Sequence, residues 1–119
     1  MINYKVKTDR YGNELIVFEV LRGDTFSLSI SLKSNDEIVS RETIKKVVYK
    51  QSDENYNEIY SKEFEYNEEI GRYILVVDSE ETKNFEPDVT YIYEIEVTLD
   101  GGTVVTPTQS KIKFKEEIK

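Results

Sequence analysis

Residues 25–32 read TFSLSISL, an unbroken alternation of apolar residues with threonine or serine. Side chains of a β-strand project alternately to the two faces of the sheet, so Phe26, Leu28, Ile30 and Leu32 fall on one face. An α-helix would not bring residues with this spacing together. The stretch therefore predicts a strand with one buried face, and it favours a β-rich domain.

Six further stretches on either side of this strand have the composition of strands. Two of them carry irregularities: the alternation slips at Lys45-Lys46, which indicates a bulge, and Pro107 cannot donate to a ladder, which indicates an edge or a bulge. The stretch at 58–66 is mostly polar and is expected at a sheet edge. The predicted strands are Leu15–Leu21, Thr43–Lys50, Glu58–Tyr66, Gly71–Val77, Val89–Leu99 and Thr103–Lys115.

One segment interrupts the β pattern. Asp78 is followed three residues later by Glu81, which fits a capping box, and Phe85 is placed to turn back into the core. We predict one short helical turn near residues 79–85. Farther along, Asp100-Gly101-Gly102 predicts a hairpin turn, because glycine readily adopts the positive φ angles that such turns need.

The composition limits both the fold and the chemistry. The chain has 119 residues and no Cys, His, Trp or Ala, and its formal net charge is −8. One domain at 14–119, preceded by an N-terminal arm at 1–13, is expected for this length. The missing His and Cys exclude Ser–His–Asp triads, cysteine nucleophiles and the usual zinc sites. The acidic balance argues against nucleic acid, and the sequence has no apolar run long enough to cross a membrane.

The acidic residues raise two questions of chemistry, a calcium site and a carboxylate pair. No D-x-[DN]-x-[DN]-G loop is present, and scattered acids are ordinary in solvated loops. A glycosidase-type pair of carboxylates would need a cleft and a carboxyl group of raised pKa. We therefore predict no catalytic residue, no metal ligand and no cofactor. The Arg22-Gly23-Asp24 sequence is interpreted as a structural turn, with the Asp24 carboxylate accepting backbone hydrogen bonds.

The nine tyrosines divide into two groups. Tyr73, Tyr91 and Tyr93 fall at inward positions and are expected in the core, whereas others lie in the middle strands and their loops. If they share an exposed face, that face is the first candidate for a protein contact, because Tyr is enriched in binding surfaces. A second candidate is a basic stripe on the last strand, for which protection of a sheet edge is the plainer interpretation. The contact candidates are Tyr56, Tyr60, Phe64, Tyr66, Lys111, Lys113 and Lys115.

Seven strands and one short helix predict an all-β, immunoglobulin-like antiparallel β-sandwich. Tyr91, directly after the helical corner, is the candidate for the tyrosine corner of such domains. Several short motifs occur in order between Glu14 and Phe114 and carry a further resemblance. They are Arg22-Gly23-Asp24-Thr25-Phe26, Gly71-Arg72-Tyr73, Asp78-Ser79-Glu80-Glu81-Thr82, Tyr91-Ile92-Tyr93-Glu94-Ile95-Glu96-Val97, Asp100-Gly101 and Ile112-Lys113-Phe114.

With these motifs the chain resembles the small immunoglobulin-like domains of tailed bacteriophages and prophages, in particular the N-terminal domain of phage baseplate upper proteins. The resemblance implies a structural protein of a tail or baseplate that acts through contacts with other virion subunits. It also implies a location in the virion, or in the bacterial cytoplasm before assembly, and it allows a homo-oligomer. Two alternatives stay open: an adhesion or carbohydrate-binding module of a bacterial cell surface, and a small carboxylate-dependent hydrolase.

Overall fold

The computed structural model describes residues 3–8, 14–34 and 37–116. Within these ranges the helical segments are a 3₁₀ turn at Arg41–Thr43 and the helix α1 at Ser79–Thr82, and neither is long and apolar enough to cross a membrane. The strands are β1 Asn3–Thr8, β2 Glu14–Leu21, β3 Phe26–Ile30, β4 Lys33–Ser34, β5 Glu37–Ile38, β6 Ile44–Ser52, β7 Glu58–Glu63, β8 Glu65–Asn67, β9 Arg72–Val77, β10 Thr90–Leu99 and β11 Val104–Lys115.

These strands form two stacked sheets and a small hairpin. The large sheet has the order β1-β2-β11-β10-β6-β7, the small sheet has the order β3-β9-β8, and β4 pairs with β5. All pairs are antiparallel except β2 with β11, which run parallel. The small sheet and the β11-β10-β6-β7 part of the large sheet reproduce the strand order of immunoglobulin domains. The predicted immunoglobulin-like β-sandwich is confirmed.

Two of the places where the chain crosses between the two sheets shape the site described below, and the sequence pattern did not reveal either of them. The stretch predicted as one strand at 58–66 divides at Phe64, because β7 pairs with β6 in the large sheet and β8 pairs with β9 in the small one. The Phe64 side chain is buried, and its N–H donates to the carbonyl of Val47. The second crossing, Arg22–Thr25, leads from β2 to β3.

The core between the sheets is rich in aromatic rings. Phe85 packs against Phe114 with ring centroids 4.8 Å apart, and Phe26 lies 6.0 Å from the same ring. Tyr49 is fully buried and stacks on Tyr93 with ring centroids 5.5 Å apart. The core tyrosines that the alternation predicted, Tyr73, Tyr91 and Tyr93, are buried as expected.

The predicted irregularities are also present. Ile44 and Lys46 pair with neighbouring residues of β10, which leaves Lys45 as the extra residue of a bulge. The pairing of β10 with β11 shifts around Pro107 in the same way. Gly101 and Gly102 have φ angles of 100° and 94°, which confirms the predicted hairpin turn.

The N-terminal arm contains a strand, and one expectation about an edge needs correction. Residues 3–8 of the predicted N-terminal arm form β1, which pairs along its whole length with β2 of the same chain. The strand β11 lies inside the large sheet, between β2 and β10, so its lysines do not protect an edge. The alternation of the last strand could not reveal this position, because a strand with one solvent-facing side has the same pattern inside a sheet as at its edge.

Candidate functional site

A groove of about 580 Å³ lies between β7 and the segment that runs from α1 to β10. It opens at one end of the sandwich, which we call the α1 pole and which consists of α1, residues 53–57 between β6 and β7, and the crossing 22–25. The apolar lining of the groove is Ile59, Tyr60, Phe85, Val89 and Tyr91, and the polar lining is Asp53, Glu81, Asn84 and Glu86. No lysine or arginine of the described ranges lines it, so the groove combines apolar walls with an acidic rim.

Local sequence signals build one wall of the groove. Asp78 caps α1 by accepting from the Glu81 N–H at 2.9 Å, and the Glu81 carboxylate accepts in turn from the Asp78 N–H, so the predicted capping box is present. The chain then turns Phe85 into the core, where it is 5% exposed. The Tyr91 hydroxyl accepts from the Glu86 N–H at 2.9 Å, which is the geometry of a tyrosine corner.

A half-buried cluster of charged and polar groups joins the two sheets beside the groove. The Lys62 ammonium donates to the Glu81 carboxylate at 2.7 Å and to the carbonyl of Val76 on β9 at 2.7 Å. The Tyr60 hydroxyl donates to the other Glu81 oxygen. Lys62 of β7 therefore binds a main-chain carbonyl of β9 at a position where β8 does not pair with β9. Sequence reasoning missed this role, although Lys62, the one lysine of β7, falls on the same face of the strand as Tyr60.

The contacts of Glu81 also set its acidity. Partial burial alone would raise the pKa of the Glu81 carboxyl, but hydrogen bonds from Lys62, Tyr60 and the Asp78 N–H outweigh this effect and hold the pKa at about 2. Burial, reinforced by the hydrogen bond to the Glu81 carboxylate, raises the pKa of Tyr60. The Glu81 carboxyl is therefore ionised at neutral pH.

Asp53, the second carboxylate of the groove, is held in a turn. Its carboxylate accepts from the backbone N–H groups of Asn57 at 3.0 Å and Asn55 at 2.9 Å. These hydrogen bonds, that of Asn57 first, lower the pKa of Asp53. A carboxylate-dependent hydrolase needs one carboxyl group of raised pKa as its general acid. Neither Asp53 nor Glu81 meets that requirement.

The aromatic residues of the groove do not form a flat platform. The rings of Tyr60 and Phe85 meet at 81°, and those of Phe85 and Tyr91 at 58°. Phe85 and Tyr91 are buried, and Tyr60 is half-buried. The coplanar, exposed aromatics that would favour a carbohydrate-binding module are therefore not found in this groove.

The Arg22-Gly23-Asp24 sequence is bound to the end of α1. The Arg22 guanidinium donates to the carbonyls of Lys83 at 2.7 Å and Phe85 at 2.9 Å, where the helix ends. The buried Thr82 hydroxyl accepts from the Gly23 N–H and donates to the Asp24 carbonyl. Gly23 has a φ of 92°, as the turn requires. The structural interpretation is confirmed, but Asp24 contributes its main-chain carbonyl where the sequence predicted its carboxylate.

The aromatic contact candidates do not share one exposed face. Phe64 is 4% exposed and belongs to the core, because the chain changes sheets there. Tyr60 and Tyr66 are half-buried and pack against the core, and the Tyr66 ring stacks edge-on with Tyr73 at 5.0 Å. Tyr56 alone of these four is largely exposed, at 66%, in the turn between β6 and β7. The pattern failed here because the alternation of 58–66 continues unbroken through the change of sheet.

The basic stripe lies on the outer face of the large sheet. Lys111 and Lys115 are exposed and Lys113 is half-buried. Lys113 pairs in register with Thr90 of β10 and Glu19 of β2. As a protein contact the stripe stays a prediction, with a flat sheet face rather than an edge as its setting.

Ile59 is an exposed groove residue that sequence reasoning passed over. Its side chain is 47% exposed and lines the groove from an edge strand that is otherwise polar. The signal was present in the sequence as an isoleucine on the polar side of the alternation in 58–66. Within the described ranges, no three carboxylates lie close enough together to hold a metal ion.

No family profile and no curated protein matches the chain. Among solved structures, the chain is similar to one described as fibronectin(III)-like modules of Clostridium thermocellum CbhA. The two are 16% identical, the match covers 99% of this chain and 100% of that one, and the TM-score is 0.45. A likeness at this level says nothing about what either chain binds.

Proposed function

We propose that this chain is a non-catalytic assembly domain that binds other proteins through the groove at the α1 pole. The observation that carries the proposal is the combination of exposed apolar side chains with an acidic rim at one end of a rigid sandwich. Ile59 and Tyr56 are 47% and 66% exposed at this pole. Contacts of this kind, an apolar anchor surrounded by polar groups, are typical of protein interfaces.

The charges of the groove indicate the partner's chemistry. Asp53, Glu81 and Glu86 line it without a lysine or arginine among the lining residues of the described ranges. Lys62 neutralises part of the Glu81 charge, which leaves the rim acidic overall. A segment that inserts an apolar side chain beside Ile59 and places Lys or Arg at the rim would be complementary to it.

We further propose that the partners are subunits of a phage or prophage particle. The support for this step is the sequence resemblance to immunoglobulin-like domains of tailed phages, carried by the motifs between Glu14 and Phe114. In that setting the domain would pack against other subunits of a tail or baseplate. Its lack of His and Cys suits such a structural role, because the domain has no imidazole or thiol group that could react.

The experiment is capture of purified virion proteins encoded next to this gene, measured by native mass spectrometry. Ile59→Lys removes an apolar contact and opposes a basic partner, so we expect at least tenfold weaker capture. Ile70→Lys is the matched control, since Ile70 is 56% exposed near the opposite end of the sandwich, in the turn between β8 and β9. Equal capture by both variants would refute the groove as the contact. Binding to a glycan array, with no capture of virion proteins, would instead support the cell-surface alternative.

A further inference from the structure

The small sheet has an open edge at β3. In the described ranges, β3 is the terminal strand of the order β3-β9-β8, and no strand pairs with its outer side. In immunoglobulin domains of the constant type, the corresponding sheet has a fourth strand at this position. Here the strand before β3 belongs to the large sheet, because β2 pairs with β11 and β1.

The pairing register identifies the main-chain groups at this edge. The carbonyl of Val76 accepts from Lys62, so the main-chain groups of Val76 point away from β3. Val76 lies opposite Ser27 in the antiparallel pair of β3 and β9. Bonded and non-bonded pairs alternate along such a ladder. Ser27, and Ser29 two residues later, therefore direct their N–H and C=O groups to the open edge, where Arg72 donates to the Ser29 carbonyl at 2.9 Å.

The strand at this edge has no charged residue of its own, and the charge that reaches it is the Arg72 guanidinium of β9, at the Ser29 carbonyl. The edge strands β1, β7 and β8 each contain lysine or glutamate, whereas β3 reads FSLSI and contains no charged residue. Natural proteins commonly discourage strand addition with charged side chains at edges. In a chain that is 34% charged, an uncharged edge strand is a feature that needs an explanation.

The large sheet extends beyond β3 on the open side. Phe26 of β3 packs against Phe114 of β11 with ring centroids 6.0 Å apart, so β3 lies above β11. Next to β11 in the large sheet come β2 and then β1, while β9 lies on the other side of β3 and is bridged to β7 by Lys62. A second copy that paired through its own β3 would bring its own β11, β2 and β1 into the space that β2 and β1 already occupy. A single extended segment has no such conflict.

We propose that the open edge of β3 binds an extended segment of a partner protein as an added strand. The Ser27 main-chain groups and the Ser29 N–H would pair with it, while the Ser29 carbonyl keeps its bond from Arg72. Alternate apolar side chains of the segment would face the large sheet. This inference rests on the proposed assembly function and adds a second contact, on a different sheet from Ile59.

The test uses ¹⁵N-labelled protein and a synthetic eight-residue peptide, in which six alternating valine and threonine residues are followed by two lysines. We expect amide exchange at Ser27 and Ser29 to slow at least tenfold at saturating peptide, with no change at Ser61 on the β7 edge. The same peptide with alternate backbone nitrogens methylated should not bind, because its side chains are unchanged and only its hydrogen bonds are lost. Protection at Ser61 instead, no protection with millimolar peptide, or equal binding of the methylated peptide would overturn the inference.

Two variants test the same edge by substitution. Ser27→Pro removes an outward N–H without removing a bond to β9, since proline is tolerated at the solvent side of an edge strand. Ser61→Pro is the matched control on β7, where the bond from the Phe64 N–H to Val47 places Ser61 at the outward register. We expect Ser27→Pro to abolish peptide binding and Ser61→Pro to leave it unchanged. Ser29→Lys, which adds a charge and keeps the backbone, should weaken binding at least fivefold, and unchanged binding in folded Ser27→Pro or Ser29→Lys would overturn the inference.

The two proposals fail separately. Loss of virion-protein capture on Ile59→Lys concerns the groove and is independent of the peptide. If the peptide does not bind at β3 while Ile59→Lys still abolishes capture, the strand-addition inference is wrong and the proposed function stands.

Discussion

Replacing Glu81 by glutamine isolates the charge of the cluster that joins the two sheets. Glutamine keeps a side-chain oxygen for the Asp78 N–H, so the capping box is preserved. The substitution removes the negative charge of the carboxylate. One carboxylate oxygen lies 2.7 Å from the Lys62 ammonium, and the other accepts a hydrogen bond from the Tyr60 hydroxyl. We therefore expect Glu81→Gln to weaken the contact between β7 and α1 while the helix still forms.

The pKa of Glu81 gives the size of the effect. A pKa of about 2, against an ordinary value of 4.5, corresponds to at most about 3 kcal/mol in the free energy of unfolding. The Glu81 side chain is 26% exposed, and screening by water reduces the expected contribution to about 1 to 2 kcal/mol. Because the pKa is lower in the folded state, this stability is fully present above about pH 4.5 and is lost as the pH falls towards 2.

The assay is urea unfolding followed by far-ultraviolet circular dichroism at pH 7 and at several values below pH 4.5. At pH 7 we expect Glu81→Gln to be about 1 to 2 kcal/mol less stable than the parent protein, and the difference should shrink steadily in acid. Glu80→Gln is the control, because Glu80 is on the same helix but is 82% exposed and should cost less than about 0.5 kcal/mol. Equal stability of Glu81→Gln and the parent protein at pH 7, or a deficit independent of pH, would refute the reasoning.

Three further substitutions test polar side chains of the core by the same unfolding assay. Tyr91→Phe removes the acceptor of the Glu86 N–H and should lower the free energy of unfolding by about 1 kcal/mol; an unchanged midpoint would show that water replaces the bond at no cost. The Tyr49 hydroxyl donates to the Gln51 side-chain oxygen Oε1 at 2.6 Å, and the Gln51 side-chain nitrogen Nε2 is buried without a partner. Tyr49→Phe and Gln51→Leu should each cost about 1 to 3 kcal/mol, and the double variant less than their sum, because it leaves no buried polar group behind. Additive costs would contradict this.

The sequence predicts most of the fold because the information is local. The alternation of 25–32 identifies β3, the Asp78 and Glu81 spacing identifies α1, and the slip at Lys45 identifies a bulge. Each of these features depends on neighbours within a few residues. The predicted end of β3 at Leu32 is two residues too late, because a period of two continues past the point where pairing with β9 stops.

The rest depends on contacts between residues far apart in the chain. The change of sheet at Phe64 depends on pairing with β6 before this residue and with β9 after it. The alternation of side chains is the same whichever sheet the strand pairs with. The groove depends on Ile59 and Phe85 meeting across 26 positions of sequence. The hairpin of β4 and β5 was missed because two-residue strands are too short to show any period.

The parallel pairing of β2 with β11 has a mechanical consequence. Val17–Leu21 and Lys111–Lys115 lie side by side in five register pairs and run in the same direction. When the two ends of the chain are pulled apart, these pairs are loaded along the strands, so their hydrogen bonds must break together. The force reaches β1 at the N-terminal end of this strand. Its antiparallel pairs with β2 would therefore open one after another, at a lower force. The domain would thus lengthen slightly under tension and then resist further extension.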